Sequence, residues 1–308
     1  MPAILTPRSI TRRSILQALS AATLANLAAP ILRAAPNSTL DPDWTTPATP
    51  HRIADNLYYV GSRDLAAFLI STSEGLILIN SNLETSPPQV RAAIEKLGYH
   101  YKDVKVLLIS HAHYDHCAGS AKIVSETGAK YMVMDADIPE VEAGGHTNFR
   151  YANDKTMWFP TTKVTRTLHD GDQVKLGNAV LTAHKTAGHT KGCTTWTMQV
   201  TDKGKTLNAV IVGSPNVNPG YNLIDDPKYP QMAADFTRQF QTLKSLPCDI
   251  FLGAHGGYYD MLQKSAKLNS STTNPFIDPD GYKAFIAERQ QAFEAELARQ
   301  KKAATHTA

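Results

Sequence analysis

Four potential metal ligands, His111, His113, Asp115 and His116, fall within six residues directly after the apolar run 104–109. Three imidazoles and a carboxylate this close repel when protonated and lack partners when buried, and a divalent cation relieves both problems. Neutral imidazole nitrogens and carboxylate oxygens suit zinc at about 2.0–2.2 Å, and a donor set without thiolate argues against a closed structural cysteine site. A catalytic zinc draws ligands from more than one loop, and two later histidines stand in turn chemistry at the ends of apolar runs. His189 lies in Ala187-Gly188-His189-Thr190 after 180–183, and His255 in Gly253-Ala254-His255-Gly256-Gly257 after 250–252. Adjacent glycine lets the backbone turn sharply beside each. Side-chain reach divides the six into His111, His113 and His189 on one cation and Asp115, His116 and His255 on the other. Each set of three leaves an open position for water or substrate, so the expectation is two zinc ions per chain. His51, His100, His146, His169, His184 and His306 lack such a setting and read as surface or packing residues.

The elements that must carry these loops follow from hydrophobic period. Short strands are expected at 57–60, 67–71 and 76–80, a helix over about 88–97, then the strand that delivers the His-rich loop. A helix near 120–127, a strand at 131–134 and a helix near 138–143 precede an irregular stretch, 147–162, that holds Tyr151, Met157, Trp158 and Phe159. A loop this long and bulky is often functional. The second half has strands at 163–168, 179–184, 194–200 and 207–212, a helix over about 229–246, the strand before His255, and an amphipathic helix at 282–301. Strands then a helix, twice over, predicts two sheets packed together with helices outside, all metal loops emerging along one edge.

With 308 residues, 42% of them hydrophobic, the chain can bury a full core, and residues 36–308 read as one domain. The net charge of +3 comes with dispersed Lys and Arg, so no basic stripe tracks a phosphate backbone and nucleic acid is not an expected partner. Residues 1–35 place Arg8, Arg12 and Arg13 before an Ala-rich apolar stretch, 15–32, in the layout of a signal peptide. Gln17, Ser20, Asn26 and Pro30 break that stretch, which favours a cleaved leader and a periplasmic protein over a stable membrane anchor. Thr11-Arg12-Arg13-Ser14-Ile15-Leu16 also resembles a twin-arginine export signal, an ordinary secretory leader being the alternative. The three cysteines, Cys117, Cys193 and Cys248, allow at most one intrachain disulfide. Cys117 reads as a small buried residue at a helix start.

From about His51 to the C-terminal helix the sequence resembles the metallo-β-lactamase superfamily. His111-Ala112-His113-Tyr114-Asp115-His116, Gly188-His189-Thr190-Lys191-Gly192 and Gly253-Ala254-His255-Gly256-Gly257 follow its zinc motifs in order and spacing. The resemblance implies an α/β fold, an αββα sandwich of two mixed β-sheets with helices on the outer faces and a dinuclear site at the edge. Many members, glyoxalase II and lactonases among them, place a metal-bridging Asp where this chain has Gly213-Ser214. A hydroxyl bridges poorly beside carboxylate, so a water-derived hydroxide alone is the expected bridge. Two subclasses of class B β-lactamases carry a Cys thiolate at that place, whereas the third has Ser and a histidine ligand matching His116. Asn218-Pro219-Gly220-Tyr221, Leu246-Pro247-Cys248-Asp249 and Gly192-Cys193-Thr194-Thr195-Trp196 are similar to that third subclass, the exported di-zinc carbapenemases. Its members often pair a Cys at 248 with one near 282; here Tyr282 removes that bridge, leaving a Cys248–Cys193 pairing or none.

The resemblance implies zinc-dependent hydrolysis of the β-lactam amide of penicillins, cephalosporins and carbapenems by a metal-bound hydroxide, conferring antibiotic resistance, in a monomer whose partner is a small molecule. Asp115 would orient the hydroxide and Tyr221 would donate to the developing oxyanion. Ser214 and Asn216 would contact the substrate carboxylate. Packing on the core is the other reading of Tyr221, and turn formation that of Asn216. By the same resemblance Trp44 and the 151–159 stretch wall the groove. Another zinc hydrolase such as a lactonase is the runner-up, disfavoured by the missing bridging Asp. A di-iron oxidoreductase is disfavoured by His113, and a non-catalytic zinc-binding protein would keep no open coordination position.

Overall fold

In the segment Gly75–Ile79, Ile77 and Ile79 enter one buried layer and Leu76 and Leu78 enter another. A strand apolar on both faces is covered on both, which fixes it inside a layered structure. The computed structural model describes residues 40–305; these fall within one compact unit, Leu40–Ala308. The chain runs through α1 (Pro42–Thr45), β1 (His51–Ala54), β2 (Leu57–Tyr59), β3 (Phe68–Thr72), β4 (Gly75–Ile79), α2 (Pro87–Lys96) and β5 (Val104–Leu108). It continues with α3 (Tyr114–Cys117), α4 (Ser120–Thr127), β6 (Lys130–Met134), α5 (Ile138–Ala143), β7 (Arg166–Leu168) and β8 (Gln173–Leu176). The remainder is β9 (Ala179–Lys185), β10 (Thr194–Asp202), β11 (Lys205–Val212), α6 (Met232–Ser245), β12 (Ile250–Gly253), α7 (Met261–Ala266) and α8 (Pro279–Thr305).

Strands β1 to β7 form one sheet in sequence order, antiparallel to β4 and parallel from β4 onward. The second sheet has the order β12-β11-β10-β9-β8 and is antiparallel except for the β11–β12 pair. Between them Ile77, Ile79, Val106 and Leu108 share a core with Leu181, Ala183, Trp196 and Met198. Val90 and Ile94 of α2, Ile123 of α4 and Val141 of α5 cover the outer face of the first sheet over Leu76, Leu78 and Leu107. On the other side, Phe293 of α8 meets Phe236 and Phe240 of α6 at 5.2 and 5.8 Å, and Phe251 of β12 meets Tyr282 at 5.4 Å. This is the expected α/β sandwich of two mixed sheets with helices outside.

Five short elements were not expected from the sequence: α1, β1, α3, β8 and α7; Cys117, read as lying at a helix start, is buried at the end of α3. Only one residue of β8, Val174, is buried, so period gives little signal there. The helix expected from 229 begins at Met232 because Tyr229 and Met232 are tied into turns, Tyr229 N–H reaching Asp226 O at 3.1 Å. All three cysteines are free, so the Cys193–Cys248 bridge is not formed. The leader reading of residues 1–35, and His306, lie outside the described residues. Among the described residues no helix is long and apolar enough to cross a membrane.

Candidate metal centre

Strand β5 ends at Leu108, and the His-rich loop that follows is held at both ends by the turn after β4. Ser110 N–H donates to Asn80 Oδ1 at 2.7 Å, while the His116 carbonyl accepts from Ser81 and Asn82 N–H at 3.0 and 3.2 Å. Asn80 and Asn82 sit at φ 67° and 56°, a left-handed conformation that asparagine tolerates better than most side chains. The second sheet grips the same loop, because Thr194 N–H reaches Ser110 O at 2.7 Å and Trp196 Nε1 reaches Ile109 O at 3.0 Å. Gly188, just before His189, has φ +139°, and a Cβ there would lie 2.8 Å from the Phe236 ring. Backbone conformation and α6 packing both demand glycine at that position.

All six sequence-derived ligands come together. His113 Nδ1 lies 3.0 Å from His189 Nε2, and the His111 ring centroid is 4.9 and 4.6 Å from those of His113 and His189. Beside this trio, Asp115 Oδ2 lies 3.1 Å from His116 Nε2 and 3.6 Å from His255 Nε2, and those two nitrogens are 3.1 Å apart. His111 borders both groups, its ring 4.3 Å from that of His116. The outward-facing nitrogens of His189 and His255 are tied to oxygen, whereas His116 Nδ1 is buried without a hydrogen-bond partner. His189 Nδ1 donates to Asn216 O at 2.8 Å and His255 Nδ1 to Asp64 Oδ2 at 2.8 Å. Both acceptors lack protons to give, so each neutral ring turns an Nε2 lone pair inward.

Burial, reinforced by neighbouring imidazoles, pushes His111 and His189 well below the usual histidine range. Burial lowers His113 to about 4 and also lowers His116. Burial opposes ionisation of Asp115, but His116, His255 and His113 together hold its carboxyl well below the usual range. His255 goes the other way: burial is outweighed by its bond to Asp64 and the charges of Asp115 and Asp64, which raise it. Four neutral imidazoles facing an ionised carboxylate form an acceptor-rich, donor-poor cluster, the protonation pattern that a divalent cation requires. The donor chemistry therefore fits metal.

Two carboxylates absent from the sequence reading brace the ligands. Asp137 accepts from Ala112 N–H at 2.9 Å, Thr190 Oγ1 at 2.8 Å and Gly192 N–H at 2.7 Å, joining the His111–His113 loop to the His189 loop. Asp64 accepts from His255, from Gly257 N–H at 2.9 Å and from Trp44 Nε1 at 3.1 Å. Neither stands in a recognisable spacing with its partners; only the fold brings them near.

A cavity of about 180 Å³ opens over the cluster, lined among others by Trp44, Tyr151, Met157, Ser214, Asn216 and Tyr258. Ser214 and Asn216 thus reach the space beside the ligands, as do Trp44 and part of the 151–159 stretch. Tyr221 is placed differently. It is 3% exposed, does not line this cavity, and its hydroxyl donates to the His189 carbonyl at 2.8 Å, 3.5 Å from His113 Nε2. Tyr258 was missed by sequence reasoning, since a tyrosine three residues beyond His255 carries no chemical signature of its own.

A family model described as the metallo-beta-lactamase superfamily matches residues 64–201. Among solved structures, the native FEZ-1 metallo-beta-lactamase from Legionella gormanii is similar at 51% identity and a TM-score of 0.82, over 83% of this chain and 98% of that one. BJP-1, a subclass B3 metallo-beta-lactamase of Bradyrhizobium japonicum, is similar at 35% identity and a TM-score of 0.80, over 85% and 98%. A curated hydroxyacylglutathione hydrolase from Pseudoalteromonas translucida is 30% identical over 104 residues, 34% of this chain; the match spans about a third, 32%, of that relative.

Proposed function

The chain belongs to the metallo-β-lactamase superfamily as a relative of its subclass B3 enzymes, and from that premise we propose that it opens the β-lactam ring of penicillins, cephalosporins and carbapenems. On this reading it works as a monomeric single domain, 36–308, in the periplasm, freed of a leader at residues 1–35 and protecting its host from antibiotics. The observation that carries the reading is the convergence of five imidazoles and Asp115 under a cavity that also receives Ser214 and Asn216, with Ser214 where a bridging carboxylate would mark a lactonase.

His111, His113 and His189 would hold one zinc ion, and Asp115, His116 and His255 a second. Bound zinc would supply a Lewis acid for the amide carbonyl and would make water acidic enough to serve as the nucleophile near neutral pH. Asp115 stays ionised, so it accepts a hydrogen bond from the attacking water and orients it toward the carbonyl carbon. Ser214 and Asn216 hold the substrate carboxylate, directly or through water. Trp44, Tyr151 and Met157 wall the cavity and exclude solvent, which strengthens the charge interactions inside. Tyr221 steadies His189 from beneath, and its phenol serves a developing oxyanion only by releasing the His189 carbonyl.

The test is to mix the purified, zinc-loaded chain with a carbapenem and a chromogenic cephalosporin, with and without EDTA, beside an acyl-homoserine lactone. The expected result is ring opening of both antibiotics that EDTA abolishes, with the lactone intact; opened lactone and surviving antibiotics would overturn the reading. His255→Ala is expected to lose one zinc equivalent and most turnover. Full zinc content at an unchanged rate in that variant would refute the division of ligands.

A further inference from the structure

Opposite the histidines, the hydrogen bonds of three side chains can be counted. Tyr258 Oη lies 2.9 Å from Asn216 Nδ2 and 3.2 Å from Ser214 Oγ, and Asn216 Oδ1 lies 3.4 Å from Arg289 Nη1 of α8. A guanidinium has donors only, so the amide oxygen of Asn216 must face Arg289 and its NH2 must face Tyr258. Arg289 thereby decides which way round the amide sits, and the amide makes Tyr258 Oη an acceptor. Ser214 and Tyr258 then hold two hydroxyl hydrogens but share one hydrogen bond. Whichever donates, the other keeps a hydrogen with no protein acceptor among the described residues, at the wall of the cavity.

The phenol is built into this position. Its ring centroid lies 4.9 Å from Phe285 and 5.2 Å from His255, and a Cβ on Gly253 would come within 2.8 Å of Tyr258 Cδ2. A chain of donors that begins at a guanidinium and ends on a free O–H is polarised toward an ionised acceptor, and charge-assisted bonds are about twice as strong as neutral ones.

We propose that Tyr258 is a specificity-determining residue: it and Ser214 form an interchangeable pair that presents one hydroxyl hydrogen to the carboxylate borne by β-lactam substrates, with Arg289 as a positioning residue that fixes Asn216. This rests on the β-lactam hydrolase reading. Because either hydroxyl supplies the hydrogen, losing one costs little and losing both costs the whole interaction.

Steady-state kinetics on zinc-loaded Tyr258→Phe, Ser214→Ala and the double variant test this with a cephalosporin and its methyl ester. Each single variant should raise KM for the free acid by about threefold and the double variant by on the order of thirtyfold, with kcat within about threefold. The ester should register less than a threefold change throughout. Arg289→Met should raise KM for the acid by about threefold in the native background and leave it unchanged in the Tyr258→Phe background, because it acts through Tyr258. Zinc content and unfolding midpoint are followed alongside, to set aside misfolded protein. If Ser214→Ala alone gives the full loss and Tyr258→Phe adds nothing, or if the ester suffers equally, Tyr258 has no such role. A native chain that hydrolyses neither compound removes the hydrolase reading itself and this inference with it.

Discussion

His189 and His255 each turn an Nδ1 proton outward, one to a backbone carbonyl and one to a carboxylate, and that choice leaves the inner nitrogens free to act as the proposed ligands. The His189 backbone is in turn anchored by Tyr221, whose hydroxyl is the donor to its buried carbonyl. Removing a donor from a buried carbonyl costs about 1–3 kcal/mol, and here the cost falls on a ligand loop. Tyr221→Phe is therefore expected to weaken zinc retention by the His111, His113 and His189 set while leaving kcat of the fully loaded protein within about threefold. Chelator competition and steady-state rates at saturating zinc measure the two effects separately. A tenfold fall in kcat at full occupancy would assign the phenol to the oxyanion after all.

At the scale of elements, the centre is a seam where the C-terminal ends of β5, β9, β11 and β12 deliver loops from both sheets, and Asp137, after β6, fastens two of those loops together. Its two oxygens face donors only, so Asp137→Asn turns an NH2 group against an N–H or hydroxyl and breaks the clamp. Zinc affinity is expected to fall by about 10–100-fold with the fold retained, as read by chelator competition and circular dichroism. Lengthening to Glu should not rescue it, because Gly192 already lies so close that a Cβ there would sit 2.6 Å from Asp137 N and 2.7 Å from its Cγ. Affinity equal to the native chain in Asp137→Asn would make the clamp passive. The strands that bear the seam were legible from sequence wherever both faces are apolar, as in β11 and β12, and the ligands were legible because four fall within six residues after one strand and the other two each stand beside a glycine in a loop that follows a strand. The bracing groups were not: Asp64 meets His255 across a separation of 191 residues and Asp137 meets Gly192 across 55, distances over which neither period nor spacing carries information. The same holds for Tyr258, whose meaning comes from Ser214 and Asn216 on another loop.

For the whole molecule, buried titratable groups make stability depend on pH, with opposite signs on the two sides of neutrality. His111, His113, His116 and His189 are lowered in the folded state, so metal-free protein loses stability as pH falls below the ordinary histidine range and these rings must take up protons. Burial raises Asp137 to about 6 and, with the charge of Asp137 beside it, Glu140 to about 8. A carboxyl raised on folding favours the folded state while protonated, a contribution fully present below its unfolded value and lost as pH climbs through its folded one. The raised His255 acts in the same direction. Metal-free protein should thus be most stable near neutrality and lose a few degrees of unfolding midpoint between pH 7 and 9. Glu140→Gln keeps an acceptor for Asn148, which donates to Glu140 Oε1 at 2.5 Å, but has no proton to lose, so it should remove much of that alkaline loss. On the proposed reading zinc reverses the trend, because His255, the one raised ligand, binds it better as its proton leaves, and binding to the folded chain alone adds stability by mass action. The gap between loaded and EDTA-treated midpoints should consequently widen from pH 6 to pH 8, as read by thermal unfolding. A gap that narrows over this range would mean that the imidazole cluster is not where the stabilising metal resides.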